Sequence, residues 1–179
     1  MAKVLPSQEL LQEFFTYCPE SGELSWKERD RSFFINYRAY KIWNARSAGK
    51  IAGSIESTGY RKVVIFGTPF LAHRIIWKHQ TGKEPHRCLD HINGDRADNK
   101  WVNLREASSS QNSMNQDVSS KNTSGFKGVS FSTRKRKWGA RISCNNIRRR
   151  LGYFDTAEEA HAAYRKVALE LHGEFANFG

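Results

Sequence analysis

Leu89–Asn115, LDHINGDRADNKWVNLREASSSQNSMN, is the stretch on which the reading of this chain turns. It sets an acidic residue beside a histidine, Asp90 and His91, continues through a glycine-bearing polar loop, and then places Asn103 and Asn112. Aspartate and asparagine oxygens suit a hard divalent cation. A histidine of ordinary pKa is largely neutral at pH 7 and can accept a proton. Residues of these types can assemble a small metal-dependent phosphodiester site. The same spacing also describes a polar hairpin held by asparagine turns. The local order predicts a strand at CLDHI, a loop at NGDRADNK, a second strand at VNLREA and a helix over SSSQNSMN capped by Ser108, a β-β-α arrangement. In extended backbone Asp90 and His91 point to opposite sides, so they converge only if the strand distorts or if His91 faces a groove across the metal.

Charge gives the next constraint. Twenty-nine lysines and arginines stand against eighteen acidic residues, a net charge of +11. From Val118 to Phe154 ten of these cations occur with no aspartate or glutamate, among aromatic and β-forming residues. A one-sign block of this kind reads as a nucleic-acid surface. Mean hydropathy is −0.68 and no apolar run approaches the length of a spanning helix, which argues against a membrane protein. The start, MAKVLPSQELLQEFF, lacks the pattern of a signal peptide. Cys18, Cys88 and Cys144 form no C-x-x-C pair, so neither a disulfide framework nor a cysteine zinc site is indicated. A reducing, cytoplasmic setting is the expectation.

Upstream, Ser7 caps a helix with Leu10, Leu11, Phe14 and Phe15 on one face, and GELSW reads as a short strand. Residues 27–47 (Phe33, Phe34, Tyr37, Tyr40 and Trp43 among them) have no assignable period, and their aromatics read as packing. A hairpin is predicted over Ile51–Phe66. PFLAHRIIWKHQTG reads as a helix closed by Gly82, with His73 and His79 as packing or hydrogen-bonding residues. Downstream, Asp117–Gly125 reads as a linker. KGVSFS, RKWGARIS and RRRLGYF are strand candidates, and Thr156–His172 is a helix with a Thr156/Glu159 capping box. Alternation turns Val129, Phe131, Trp138, Ala140, Ile142 and Leu151 toward that helix.

These pieces resemble two families. D-H-I-N-G-D, then D-N-x-x-x-N-L-R, then Q-N-x-x-N, is similar to the phage-type HNH endonuclease motif, and the likeness extends over roughly residues 14 to 116. It implies a ββα-metal fold in which Asp90 and Asn112 ligate one divalent ion, Mg²⁺ or Mn²⁺. It also makes His91 the general base and gives Asn103 the task of orienting His91 and bracing the hairpin. Arg105 is a possible phosphate contact, and Asn115 a weaker site candidate. KGV, KWGARI, LGYFDTAEEAHAAY and HGEFANF resemble the plant APETALA2-type DNA-binding domain, also found fused to phage HNH nucleases. That resemblance implies a three-stranded antiparallel sheet in the major groove, backed by a helix. Lys127, Lys137, Arg141, Arg148 and Arg150 then face DNA, with Arg134 to Arg136 on the turn. Ser130 and Ser132 stand where plant members commonly carry arginines, so their sequence preference does not transfer.

The expectation is therefore an α+β chain: an HNH nuclease domain at 1–116 (leader 1–85, motif 86–116), a linker at 117–125 and an APETALA2-like domain at 126–179. It would be a site-specific, homing-type endonuclease acting on double-stranded DNA in a bacterial or phage-infected cell. The competing reading is a regulatory DNA-binding protein with an inactive centre. One HNH centre cuts one strand at a time, so a double-strand break would need a homodimer or a second binding event. No heptad or apolar seam announces a dimer.

Overall fold

Ser7 ends an extended segment and its hydroxyl accepts from the Leu10 amide at 3.3 Å, which starts α1 (Gln8–Phe14) where the capping signal lies. The structure, a computed structural model, describes residues 4–119, 121–145 and 147–179. Phe15, expected on the face of this helix, instead opens β1 (Phe15–Tyr17), which pairs antiparallel with β2 (Leu24–Trp26). Both Phe14 and Phe15 are buried, because the chain changes from helix to strand between them and each side chain enters the same core.

The unassigned stretch 27–47 contains α2 (Tyr37–Ser47), capped by the Asn36 side chain. No residue of this helix is fully buried, which is why no periodic stripe marked it. Its task is packing. Trp43 and Trp26 meet edge-on, and the Arg29 guanidinium lies 4.1 Å from the Phe14 ring centroid, 4.4 Å from Trp26 and 4.1 Å from Trp43. Burial pulls the Arg29 pKa down to about 10. The Asn44 amide clips the Arg29 backbone on both sides, at 3.0 Å each.

A three-stranded antiparallel sheet follows, ordered β3 (Ser54–Ile55), β4 (Arg61–Ile65), β5 (Thr68–Leu71). The last strand replaces the first turn of the expected helix. Phe66 and Gly67 both have positive φ, the requirement of a tight hairpin turn, and Ile65 pairs with Thr68 across it. Pro69 is tolerated because β5 lies at the edge. The helix α3 (Ala72–Thr81) then runs to Gly82, left-handed at φ 75° as the C-cap expectation requires. Gln8 and Gln12 of α1 both donate to the His79 carbonyl, at 3.0 and 3.1 Å, fastening the two helices. A two-stranded ribbon, β6 (Cys88–His91) and β7 (Leu104–Ala107), completes this part, with Trp101–Asn103 forming a 3-10 turn where strand was expected.

The chain divides into two compact units, Met1–Glu106 and Ala107–Gly179. The division falls ten residues earlier than the boundary expected at 116, and the reason is α4 (Ser109–Asn115). Met114 of that helix packs with Ala107 and Phe175, and Asn177 donates to the Asn115 carbonyl at 2.8 Å. Residues 117–125 hold no helix or strand among those described, but Asn122 and Ser124 fold them into a hydrogen-bonded turn.

The second unit carries a sheet ordered β10 (Ile147–Phe154), β9 (Lys137–Cys144), β8 (Val129–Ser132), all antiparallel, against α5 (Ala157–His172). Both reciprocal bonds of the Thr156/Glu159 capping box form. Val129, Ala140 and Ile142 are buried beneath α5, with Trp138 and Leu151 partly buried beside them. Phe131 shares their face of the sheet but stays 49% exposed, edge-on to Trp138. A register shift between Arg150 and Gly152 marks a bulge in β10. Among the described residues no helix is long and apolar enough to cross a membrane.

Phe14 touches the rings of Phe15, Phe33 and Phe66 and carries the Arg29 cation. Phe14→Ala is expected to cost about 3–5 kcal/mol of unfolding free energy, read as a lowered midpoint in urea with the slope unchanged.

Candidate active site

Asp90 and His91 are both buried, at 4% exposure each, at the end of β6. The carboxylate of Asp90 accepts from Arg105, whose Nε and Nη2 each lie 2.9 Å from Oδ2. Arg105 was the candidate phosphate contact. Its side chain is only 12% exposed and engaged in this ion pair, so its charge serves Asp90. Two charges out of water are tolerated only with such close compensation.

His91 meets different neighbours. Its Nε2 lies 3.2 Å from Asn99 Oδ1. The Asn99 amide is turned that way because its Nδ2 donates to the Ala97 carbonyl at 3.1 Å, so Oδ1 faces the imidazole as an acceptor. The proton of neutral His91 is therefore on Nε2, and Nδ1 is the basic nitrogen. Burial lowers the His91 pKa, against the opposing pull of the Asn99 bond and the carboxylates of Asp90, Asp95 and Asp98. Asn99 is itself 3% exposed, and its carbonyl accepts from the Tyr17 hydroxyl at 2.8 Å.

Asn103 works on the loop. Its Oδ1 accepts from the Asn93 amide at 2.9 Å, and its Nδ2 donates to Asn93 Oδ1 at 2.9 Å and to the Asp98 carbonyl at 2.7 Å. Its own carbonyl receives the Ile92 amide at 2.9 Å. Of its two expected tasks, bracing the hairpin has these four bonds, while the bond that sets the imidazole tautomer comes from Asn99. Asn99 was missed as a functional residue although it lies in the D-N-x-x-x-N-L-R segment. Its role depends on the loop folding back onto β6, which spacing alone does not show.

Two further residues crowd His91. The His73 ring stands nearly perpendicular to it at 5.1 Å, and Tyr60 lies 5.2 Å from His73 and 5.9 Å from His91. His73, read from the sequence as a packing residue, is that and more, since burial pushes its pKa down to about 3, with His91 and Arg74 adding to the shift. It is neutral and forms part of the wall behind His91. The Arg96 guanidinium lies 5.0 Å from the Tyr60 ring centroid.

In the second unit Asn112 lies on α4, half-buried, one turn before the buried Asn115. Among the described residues no three His, Cys, Asp or Glu side chains gather as metal ligands. The oxygens on offer are a carboxylate at Asp90 and an amide at Asn112. Each is a hard oxygen donor of the type that suits a hydrated divalent ion.

The outer face of the C-terminal sheet is basic. Arg141, Arg148 and Arg150 are exposed on it, Arg141 donating to Ser130 Oγ at 2.7 Å and Arg150 lying 5.5 Å from the Tyr153 ring. Lys137 pairs with Asp155 at 3.0 Å in an exposed contact, and Arg134 and Arg136 project from the β8–β9 turn. Lys127 departs from the expectation of a DNA-facing cation. Its Nζ donates to the carbonyls of Met114, at 2.6 Å, and Gln116, and burial lowers its pKa to about 8. The helix end supplies oxygens that the ammonium would otherwise take from solvent.

The sequence pattern of the family described as HNH endonuclease matches residues 70–114. Protein 3.8 of Escherichia phage T7 is 33% identical over 107 residues, covering 59% of this chain and 88% of that protein. An uncharacterized HNH endonuclease of Acanthamoeba polyphaga mimivirus is 36% identical over 88 residues, covering 49% of this chain and 44% of that protein. Among solved structures, "DNA binding and cleavage by the HNH homing endonuclease I-HmuI" aligns over 93% of this chain and 90% of that one. The TM-score is 0.39 and the identity 18%, too loose a superposition to bear on the site.

His73 ties this site to acid stability. Its folded pKa lies below its unfolded value, so the unfolded state binds the extra proton between them. Stability is therefore full above about 6.5 and falls as pH drops toward about 3. Thermal unfolding measured from pH 7 to pH 4 is expected to show this decline, and His73→Phe to flatten part of it.

Proposed function

The chain belongs to the HNH endonuclease family and is a DNA-cleaving hydrolase; on that premise we propose that it is a site-specific, homing-type enzyme in which His91 is the general base. The buried, neutral imidazole with Nε2 committed to Asn99 is the observation that carries this reading. His91 Nδ1 takes the proton of a water whose oxygen attacks the phosphorus, and the bond to the 3′-oxygen breaks. HNH nucleases generally use a divalent ion, and Asp90 and Asn112 would hold it here as Mg²⁺ or Mn²⁺. When bound, such an ion offsets the charge on the non-bridging oxygens and on the leaving oxygen. Arg105 fixes the Asp90 carboxylate, Asn99 fixes the imidazole, and Asn103 keeps the intervening loop closed.

The C-terminal sheet, in this proposal an APETALA2-like domain, presents the enzyme to double-stranded DNA. Its outer face supports the reading because Arg141, Arg148 and Arg150 stand exposed on one side while the apolar residues are turned to α5. Arginines on a sheet in the major groove can pair with guanine edges, and the turn cations Arg134 and Arg136, with Lys137, suit phosphates.

Plasmid relaxation with a substrate carrying a target selected from a host-genome library tests the catalytic assignment. Wild-type protein should nick supercoiled DNA with Mg²⁺ or Mn²⁺ and cease with EDTA, and His91→Ala should lower the rate by roughly 10²–10⁴-fold. The rate should rise with pH and level off below the ordinary imidazole value, because burial has lowered the His91 pKa and the neutral form is the active one. Wild-type protein that leaves such a plasmid supercoiled, or His91→Ala protein that cuts at the wild-type rate, would refute the assignment.

Arg148→Ala and Arg150→Ala should each weaken DNA binding and reduce the slope of log K against log salt by about 1 if they contact phosphate. A relaxed preference at one base position would instead mark base-edge contact. Titrations at several salt concentrations, on matched and scrambled duplexes, distinguish these outcomes.

A further inference from the structure

Asn112 rides on α4, a helix of the unit Ala107–Gly179. This helix has seven residues, SSQNSMN, built mainly from serine and asparagine. A helix this short and this poor in helix-forming residues does not hold its shape in water by itself. Its geometry must come from what grips it.

The first turn is gripped locally by the Ser108/Gln111 capping box. The last turn is different, because its carbonyls have no further helical amides to accept from. Lys127 Nζ donates to the carbonyls of Met114 and Gln116, and Asn177 Nδ2 donates to the carbonyl of Asn115 at 2.8 Å and to Asp117 Oδ1 at 3.0 Å. Met114 supplies an apolar anchor against Ala107 and Phe175, and the Asn145 amide donates to Ser110 Oγ at 3.3 Å. Lys127 stands just before β8, and Asn177 follows α5 near the end of the chain. The grip on the helix is thus made by both ends of the C-terminal module.

We propose that Lys127 and Asn177 are positioning residues that fix α4, and through it Asn112, so that the C-terminal module sets the geometry of a metal ligand as well as tethering DNA. The inference rests on the reading of Asn112 as a metal ligand. A module acting only as a tether would govern affinity for DNA and leave the rate on bound DNA alone. A module that fixes a ligand helix governs the metal and the chemical step.

The test uses the full chain as Lys127→Met, Lys127→Arg, Asn177→Ala and Asn112→Ala variants, each first compared with wild type by circular dichroism. Mn²⁺ binding without DNA is read by electron paramagnetic resonance, DNA affinity in EDTA by titration, and the cleavage rate at saturating DNA by strand-resolved gels. Lys127→Met and Asn177→Ala are expected to weaken Mn²⁺ binding and to lower kcat by about tenfold or more, with DNA affinity in EDTA little changed. Lys127→Arg, which keeps N–H donors for the two carbonyls, should recover part of both losses. If Lys127→Met does not fold, Asn177→Ala and Lys127→Arg decide the matter by the same readouts. Wild-type Mn²⁺ binding and kcat in Asn177→Ala and Lys127→Met, with or without a loss of DNA affinity, overturns the proposal while Asn112→Ala still fails to bind Mn²⁺. If Asn112→Ala binds Mn²⁺ as wild type does, the ligand assignment falls and this inference falls with it.

Discussion

A carboxylate and an imidazole held out of water on adjacent residues of one strand set the terms for everything packed around them. Neither group is stable there without partners that match its chemistry. Asp90 has the fork of Arg105, and His91 has Asn99 on one side and the neutral ring of His73 nearby. These partners in turn need supports. The Asn99 carbonyl is held by Tyr17 from β1, and His73 is presented by α3, which α1 fastens through its two glutamines. The leader is thus more than an appendage to the motif, because its core provides the dry surroundings that keep His91 neutral.

Much of the motif was legible because its signals are local. The glycine-bearing loop, the acid–histidine pair and the cap at Ser108 each act within a few residues. β6, the later part of the expected second strand (β7) and α4 appear where they indicate, with the 3-10 turn at Trp101–Asn103 as the departure. The C-terminal sheet and α5 were legible for the same reason, alternation and capping being short-range. Asn99 and Arg105 are different. Both are visible as polar residues, but the partner of each lies across the folded ribbon, so the sequence offers Arg105 only as a possible phosphate contact and not as the partner of Asp90.

Three other misreadings share a physical cause, tertiary context overriding a local default. β5 was hidden because its turn begins with Phe66 in a left-handed conformation that bulky residues seldom adopt. α2 was hidden because it has no fully buried residue and hence no stripe. Lys127 was placed on the DNA face by the APETALA2-type resemblance, whereas helix carbonyls can take the place of water around an ammonium group. The same bonds tie α4 to the unit that begins at Ala107.

The bulge in β10 changes the phase of the strand's alternation. Before it, the even-numbered Arg148 and Arg150 face outward and Leu151 turns toward α5; after it, the odd-numbered Tyr153 faces outward and Phe154 turns inward. Gly152, at φ 149°, is where the count slips. The outward face is therefore written in two frames, and the residue spacing between neighbouring outward side chains is two on one side of the slip and three across it. Any comparison of DNA-facing positions along this strand has to be made frame by frame, since a one-residue gap at Gly152 would exchange tyrosine for phenylalanine on the face turned away from the core.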